Sequence, residues 1–338
     1  TGWAVDSRVY AEDPSRNFLP SLGRLVTYRP PAEGRDGEAT VRNDTGVEEG
    51  GEISMFYDPM IAKLVTHAPT RLAAIDAQAR ALDAFAIDGI GHNIPFLSAL
   101  MQHPRWREGR LSTGFIKEEY PDGFAARAPD AAGRDVLAAI AAFADNVSNE
   151  RRKRISGQLR GRGYAFPPVR VVRFSDGVDI TLRVANAGRE TAITFFEGEV
   201  ERRTVSIRSA WVPGAPVFAA VIDGERLHAR LKPVSNGYLL AHAGVAVKAC
   251  VYTTREAELE RLMPEKTGAG ASKALLCPMP GLVKAIEVVE GQAVKAGEVL
   301  AVVEAMKMEN QLRADRDAVV KSVKAKAGDT LAVDAVIL

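Results

Sequence analysis

The spacing of apolar and polar positions changes twice along the chain, and each change marks a new kind of structure. Through residue 125 strands and helices mix. Alternation in Trp3-Ala4-Val5-Asp6-Ser7-Arg8-Val9-Tyr10 and in Ile53-Ser54-Met55-Phe56-Tyr57 predicts strands of period two. After Thr70, whose hydroxyl suits a helix N-cap, Leu72, Ile75, Ala79, Leu82, Phe85 and Ala86 recur at helical spacing and predict a helix that Asp88-Gly89 ends. A second helix is predicted from Asn93, with Pro95 in its first turn and Phe96, Leu97, Leu100 and Met101 buried. This region is α+β.

The next region, 126–263, opens with a predicted helix over 133–148 that carries Val136, Ile140, Phe143 and Val147 on one face. The period then falls to two. Eight strands are predicted over 169–174, 178–184, 191–196, 204–211, 217–222, 226–231, 237–242 and 245–253, parted by turn pairs such as Asp176-Gly177, Ala187-Gly188, Asp223-Gly224 and Asn236-Gly237. Such a run folds as an antiparallel barrel or sandwich. Arg151-Arg152-Lys153-Arg154 ends the helix, where cations complement its dipole. Packing on strands accounts for Trp3 and Trp211, and Cys250 is expected to be a small core residue.

Residues 264–273 have no apolar period and are rich in Gly, Ala and Ser, which predicts a flexible linker. As a random chain it spans about 17 Å on average, and roughly 35 Å at full extension. The remaining region, 274–338, repeats itself: a shift of 320 − 283 = 37 lays Leu282-Val283-Lys284-Ala285-Ile286 on Val319-Val320-Lys321-Ser322-Val323, Gly291 on Gly328, Val294 on Leu331, Val299 on Val336 and Leu300 on Ile337. Each copy is too small to bury its own apolar face, so two copies predict a pseudo-symmetric flattened β-barrel. Glu304-Ala305-Met306-Lys307-Met308-Glu309-Asn310 links the copies as a protruding hairpin, with Lys307 near its tip.

Composition narrows the field. The 338 residues exceed one ordinary core. Lys+Arg 44 against Asp+Glu 43 leaves a formal charge of +1, so no basic field draws the chain to nucleic acid. No apolar stretch reaches the ~18–20 residues of a membrane span. Two cysteines, Cys250 and Cys277, build neither a disulfide framework nor a thiolate metal site, and a reducing compartment follows. His67, His92, His103, His228 and His242 lack the paired spacing of a metal site, so each is expected to be satisfied or solvated. The opening Thr1-Gly2-Trp3, with no initiator Met, suggests a fragment or a processed product.

Ala305-Met306-Lys307-Met308, preceded by Pro278-Met279-Pro280-Gly281, resembles the biotin carboxyl carrier domain. The resemblance implies biotin bound covalently on Lys307, with Met306 and Met308 as soft contacts for a biotin protein ligase. A lipoyl domain shares the topology but usually has Asp before its lysine and Ala after it. The first region resembles the C-terminal part of the biotin carboxylase domain through Arg8-Val9-Tyr10-Ala11-Glu12-Asp13-Pro14, Leu19-Pro20-Ser21, Val41-Arg42-Asn43-Asp44 and Tyr57-Asp58-Pro59-Met60-Ile61-Ala62-Lys63-Leu64. It implies that Arg42 is catalytic, stabilising the enolate-like oxygen of biotin, although Thr40 replaces a motif glycine. Tyr57-Asp58 would shape that pocket or pack the strand end.

With Tyr120-Pro121-Asp122-Gly123-Phe124 and the helix-then-barrel middle, the chain is similar to the α subunits of biotin-dependent acyl-CoA carboxylases, the propionyl-CoA type ahead of the methylcrotonyl-CoA type. That resemblance implies a hetero-oligomeric ligase. The barrel, around a central helix, would contact a carboxyltransferase β subunit that holds the acyl-CoA, in a bacterial cytoplasm or a mitochondrial matrix. ATP, Mg2+ and bicarbonate would serve the complete enzyme, and a chain without the nucleotide-binding portion is expected not to hydrolyse ATP alone. The expected domains are 1–125, 126–263, linker 264–273 and 274–338. A non-catalytic scaffold with a carrier-like interaction domain is the alternative.

Overall fold

A computed structural model describes the chain except for residues 17, 55, 122, 154–165, 264–273, 296, 306 and 307, so the expected linker lies outside the described residues. In the first region β1 (Trp3–Tyr10), β2 (Gly34–Asp36), β3 (Ala39–Thr45) and β4 (Met60–Ala68) form an antiparallel sheet in the order β1-β4-β3-β2. The central strand β4 buries both neighbours of its pleat, Ile61 and Ala62 among them, because α1 (Arg71–Asp83) covers one face. Close approach of helix to sheet rests on small residues: Ala39, Ala68, Ala74 and Ala77 form one cluster. Thr70 caps α1 as expected, its hydroxyl accepting from Ala73 N–H at 3.2 Å.

Three local expectations are corrected. The helix ends at Asp83 rather than near 88, because residues 86–88 pair as a strand with Thr27–Arg29; Phe85 stays fully buried outside the helix. The strand expected over 53–57 stops at Ile53, and Phe56 and Tyr57 are 80% and 81% exposed, so Tyr57 does not pack a strand end. Trp3 lies on β1, yet is 54% exposed at its outer end, so packing does not account for it. The second helix, α2 (Ile94–Gln102), starts where expected; Asn93 uses its side chain to accept from Tyr10 N–H at 2.9 Å instead of capping.

In the second region β5 (Val169–Phe174), β6 (Asp179–Ala187), β7 (Glu190–Glu197), β8 (Val200–Ser209), β9 (Val217–Ile222), β10 (Glu225–Val234), β11 (Gly237–His242) and β12 (Val245–Tyr252) pair in sequence order, and β5 pairs with β12 to close a barrel. The tight turns sit where Gly or Asn accepts a left-handed backbone, as at Asp223-Gly224 and Asn236.

The helix α3 (Ala131–Lys153) is longer than the pattern predicts, and it is not one-faced. Leu137 through Ala144 are all buried, Ala138, Ala139, Ile140, Ala141 and Ala142 completely, in one core with the inward residues of the strands. Eight strands enclose little more than side chains, so a helix inside needs a thin girth, which the alanines supply. Charged residues mark where the enclosed stretch begins and ends: Asp135 pairs with Arg202 at 2.6 Å and Asp145 with Arg170 at 3.1 Å. Trp211 lies past the end of β8 and donates from Nε1 to Ala215 O at 2.9 Å, and Cys250 is half-buried, opposite Arg173.

The first two regions meet at the turn after β11. Asp83, at the end of α1, accepts from Ala243 N–H at 3.0 and 3.1 Å and lies 3.0 Å from His242 Nδ1, which is also 2.8 Å from His228 O. Two acceptors at one ring nitrogen require that Nδ1 carry the proton. Gly244 follows at φ +77°, where a Cβ would fall 2.6 Å from Ala99 Cα and 2.8 Å from Ala99 N of α2. Gly244→Ala is therefore expected to lower stability by more than the about 1–3 kcal/mol of strained backbone alone. Gly214→Ala, also at positive φ but with nothing within 4 Å of its Cβ, isolates the strain, and denaturant midpoints compare the two.

The same junction responds to pH. Burial disfavours the imidazolium of His242, but the hydrogen bond to Asp83, its charge and the His228 carbonyl outweigh that and raise the pKa. A raised folded pKa adds stability that is complete below the unfolded value of about 6.5 and fades as pH rises through the folded value. Asp83→Asn is thus expected to cost more at pH 6 than at pH 9; an equal cost at both would refute the charged contact.

Candidate functional site

The third region holds β13 (Gly281–Ile286), β14 (Val299–Ala305), β15 (Met308–Arg313) and β16 (Thr330–Leu331) in a sheet of order β15-β14-β13-β16, with residues 293–294 paired to 318–319 beside it. The described strands thus form two small sheets rather than one closed flattened barrel.

Backbone hydrogen bonds reproduce the 37-residue repeat as a two-fold relation. Gly291 N–H donates to Val320 O and Gly328 N–H to Val283 O, each at 2.8 Å; Val320 N–H donates to Gln292 O and Val283 N–H to Asp329 O, each at 2.9 Å. The relation extends past the apolar matches, for Cys277 N–H to Ala335 O mirrors Ala314 N–H to Glu298 O. Gly291 and Gly328 both take positive φ, +85° and +95°. Each copy thus satisfies the other's backbone groups, and the copies bury a shared core that includes Val283, Leu312 and Ile337.

Between the copies the strands β14 and β15 pair from Val299↔Arg313 to Ala305↔Met308, with a register shift between Val299 and Ala301. Met306 and Lys307 lie outside the described residues, and Met308 is 42% exposed. The residues leading to them are tightly set. At Gly281 a Cβ would fall 2.6 Å from Glu304 O and 3.4 Å from Ala305 Cβ, so Pro-Met-Pro-Gly ends on the one residue that lets β13 cross β14. Ala305 is fully packed, and Met279 is buried with Asn310 Nδ2 3.6 Å from its Sδ.

Glu304 and Glu309 stand opposite each other on β14 and β15, a repulsive arrangement for two carboxylates. Lys284 on β13 offsets it, with Nζ 2.9 Å from Glu304 Oε2 and 4.0 Å from Glu309 Oε1, and the hydrogen bond to Glu304 raises the Lys284 pKa. The repeat already marked Lys284, through its match to Lys321, but not its role as bridge.

Arg42 sits mid-strand on β3, opposite Val65, and not in a loop; its guanidinium is exposed and pairs with Asp44 at 2.9 Å. Thr40, in place of the motif glycine, pairs with Arg35 and His67 in the ladder. Of the histidines, His92, His103 and His228 contradict the expectation of satisfied or solvated rings: Nδ1 of each is sealed from water and has no partner. His103 lies 3.3 Å from Glu119. Among the described residues no three His, Cys, Asp or Glu side chains converge as metal ligands, and no helix is long and apolar enough to cross a membrane.

Comparison with known families agrees with this architecture. Residues 6–118 match the biotin carboxylase C-terminal domain, 137–266 the propionyl-coenzyme A carboxylase BT domain and 273–338 the biotin-requiring enzyme domain. The propionyl-CoA carboxylase alpha chain of Ruegeria pomeroyi is 47% identical over 100% of this chain and 51% of its own length. The mitochondrial propionyl-CoA carboxylase alpha chain of Rattus norvegicus is 36% identical over 98% of this chain and 44% of its own. A methylcrotonoyl-CoA carboxylase subunit alpha from Mus musculus is more distant, 28% identical over 95% of this chain and 44% of its own. The chain spans about half the length of these curated relatives.

Proposed function

From the premise that the chain belongs to the propionyl-CoA carboxylase alpha-chain family, we propose that it carries biotin on Lys307 for the ATP- and bicarbonate-dependent carboxylation of propionyl-CoA to methylmalonyl-CoA. The observation that carries this reading is the two-fold backbone relation. It frames Ala305-Met306-Lys307-Met308 between paired strands in a region that matches a biotin-requiring domain.

The residues present fit that cofactor. Ala305 and Met308 are held opposite each other at the ends of β14 and β15. Met308 offers an unbranched, polarisable surface to a biotin protein ligase. Lys284 offsets part of the negative charge of Glu304 and Glu309, which limits the local negative field. Biotin, amide-linked to the ε-amine of Lys307, supplies a ureido nitrogen able to carry a carboxyl group.

Arg42, exposed on β3 and oriented by Asp44, would direct its guanidinium donors at negative charge developing on a docked ring oxygen. The barrel would hold the carboxyltransferase β subunit, in whose site propionyl-CoA accepts the carboxyl group. Attachment of the carrier to the same chain raises its effective concentration at both centres. Complete, the enzyme is a carbon–carbon bond-forming ligase that needs ATP, Mg2+ and bicarbonate. Relatives from a bacterium and from mitochondria support a bacterial cytoplasm or mitochondrial matrix as its compartment.

Intact mass after incubation with biotin, MgATP and a biotin ligase tests the reading. One added biotin mapped to the Lys307 peptide is expected, and an unmodified amine after full reaction of a control carrier would refute it. With the complete α chain and β subunit, propionyl-CoA is expected to be turned over in preference to methylcrotonyl-CoA.

A further inference from the structure

A cleft of about 680 Å3 separates the first region from the outer wall of the barrel, and neither the carrier nor Arg42 lines it. Its volume falls in the range of small-molecule sites. Arg230, on β10, enters this cleft with no hydrogen bond or ion pair from its side chain to any described residue, and its Nε is sealed from water without a partner. His92 lines the same cleft; its ring is hydrogen-bonded to the Ile87 backbone, while its Nδ1 is likewise sealed and unpartnered. Two such atoms in one cavity leave hydrogen-bonding capacity that the protein itself does not use.

The carboxylates nearby have closer partners, although the Asp83 charge also favours the Arg230 cation. Asp83 is taken up by Ala243 N–H and His242, and Asp88 by Lys232 at 2.8 and 2.9 Å. Lys248 adds a further, exposed cation at the cleft. Burial, and then the Arg230 charge, push the His92 pKa down to about 3, so the ring is neutral at pH 7 and adds no repulsion toward a cation or anion. Pro95, Leu239 and Val247 give the cleft an apolar wall.

We propose that this cleft binds a small monocarboxylate: Arg230 pairs with the carboxylate, the His92 ring lines the pocket beside it, and the apolar wall takes a short carbon chain. A guanidinium presents planar donors that match a carboxylate, and a short chain fills the remaining apolar space.

Equilibrium dialysis of the full chain with labelled butyrate tests the site. Saturable binding of one equivalent is expected, with butyramide unable to compete and inorganic phosphate competing at least tenfold less well. Arg230→Met is expected to weaken binding at least tenfold without lowering the melting temperature, because it removes a buried charge that has no hydrogen bond to a described residue. Should Arg230→Met fail to fold, Arg230 is structural and the assignment falls unless Arg230→Lys, folded, loses butyrate affinity. Absence of saturable binding, equal competition by butyramide or by phosphate, or undiminished affinity in Arg230→Met would each overturn the proposal.

Discussion

Ala139→Glu is expected to abolish folding of the eight-stranded region. Ala139 has no exposed surface, and its neighbours Ala138, Ile140, Ala141 and Ala142 have none either, so no rotamer of a longer side chain reaches water. A carboxylate there lacks a partner, since the paired charges of α3 stand further along the helix at Asp135 and Asp145. Desolvating such a group costs several kcal/mol even after relaxation, and the added volume costs roughly 1–3 kcal/mol more. Domains hold only about 5–15 kcal/mol. Ala132→Glu, at an exposed position on the same helix, is expected to change stability by about 0.5 kcal/mol or less. Thermal unfolding followed by circular dichroism distinguishes them. A cooperative transition for Ala139→Glu within a few degrees of the parent would contradict an enclosed helix.

Lys307→Arg is expected to remove biotin labelling completely and to lower turnover of the assembled carboxylase by about a thousandfold or more. Arginine keeps the positive charge and the length, so electrostatics and surface hydration change little, but a guanidinium stays protonated and is not acylated at neutral pH. A scaffold role predicts the opposite pattern, with assembly and any partner binding intact and no lysine-dependent streptavidin signal in the parent protein. Streptavidin blotting of parent and variant, with carboxylation measured on the reconstituted complex, separates the two. Met308→Leu serves as the companion variant, because it preserves apolar bulk at a half-exposed site. It is expected to slow modification severalfold and leave the folded carrier unchanged.

Much of this was legible in one dimension because periodicity reports local geometry. The eight strands of the middle region, the Thr70 cap and the start of α2 at Asn93 all follow from spacing and turn chemistry within a few residues. The repeat in the third region was likewise legible, and its backbone bonds place each matched pair in equivalent positions. The errors have a common origin. Phe56 and Tyr57 alternate like strand residues, yet whether a strand finds a partner, or a paired strand residue such as Trp3 is covered, depends on chain segments far away. The end of α1 was missed for the same reason, since residues 86–88 pair with Thr27–Arg29 nearly sixty positions earlier (86 − 29 = 57).

Sequence by itself determined the order of the three regions, the repeat and the Lys307 motif, because these are properties of neighbours along the chain and of chemistry carried by single side chains. Only the tertiary structure decided that α3 is enclosed on every side and that Lys284 joins Glu304 to Glu309. It alone joined the first two regions through Asp83, His242 and Gly244, and left Arg230 Nε and His92 Nδ1 without hydrogen-bond partners beside one cleft. Burial, and the presence or absence of a counter-charge, depend on which distant segments the fold brings within a few ångströms, and no local pattern encodes that.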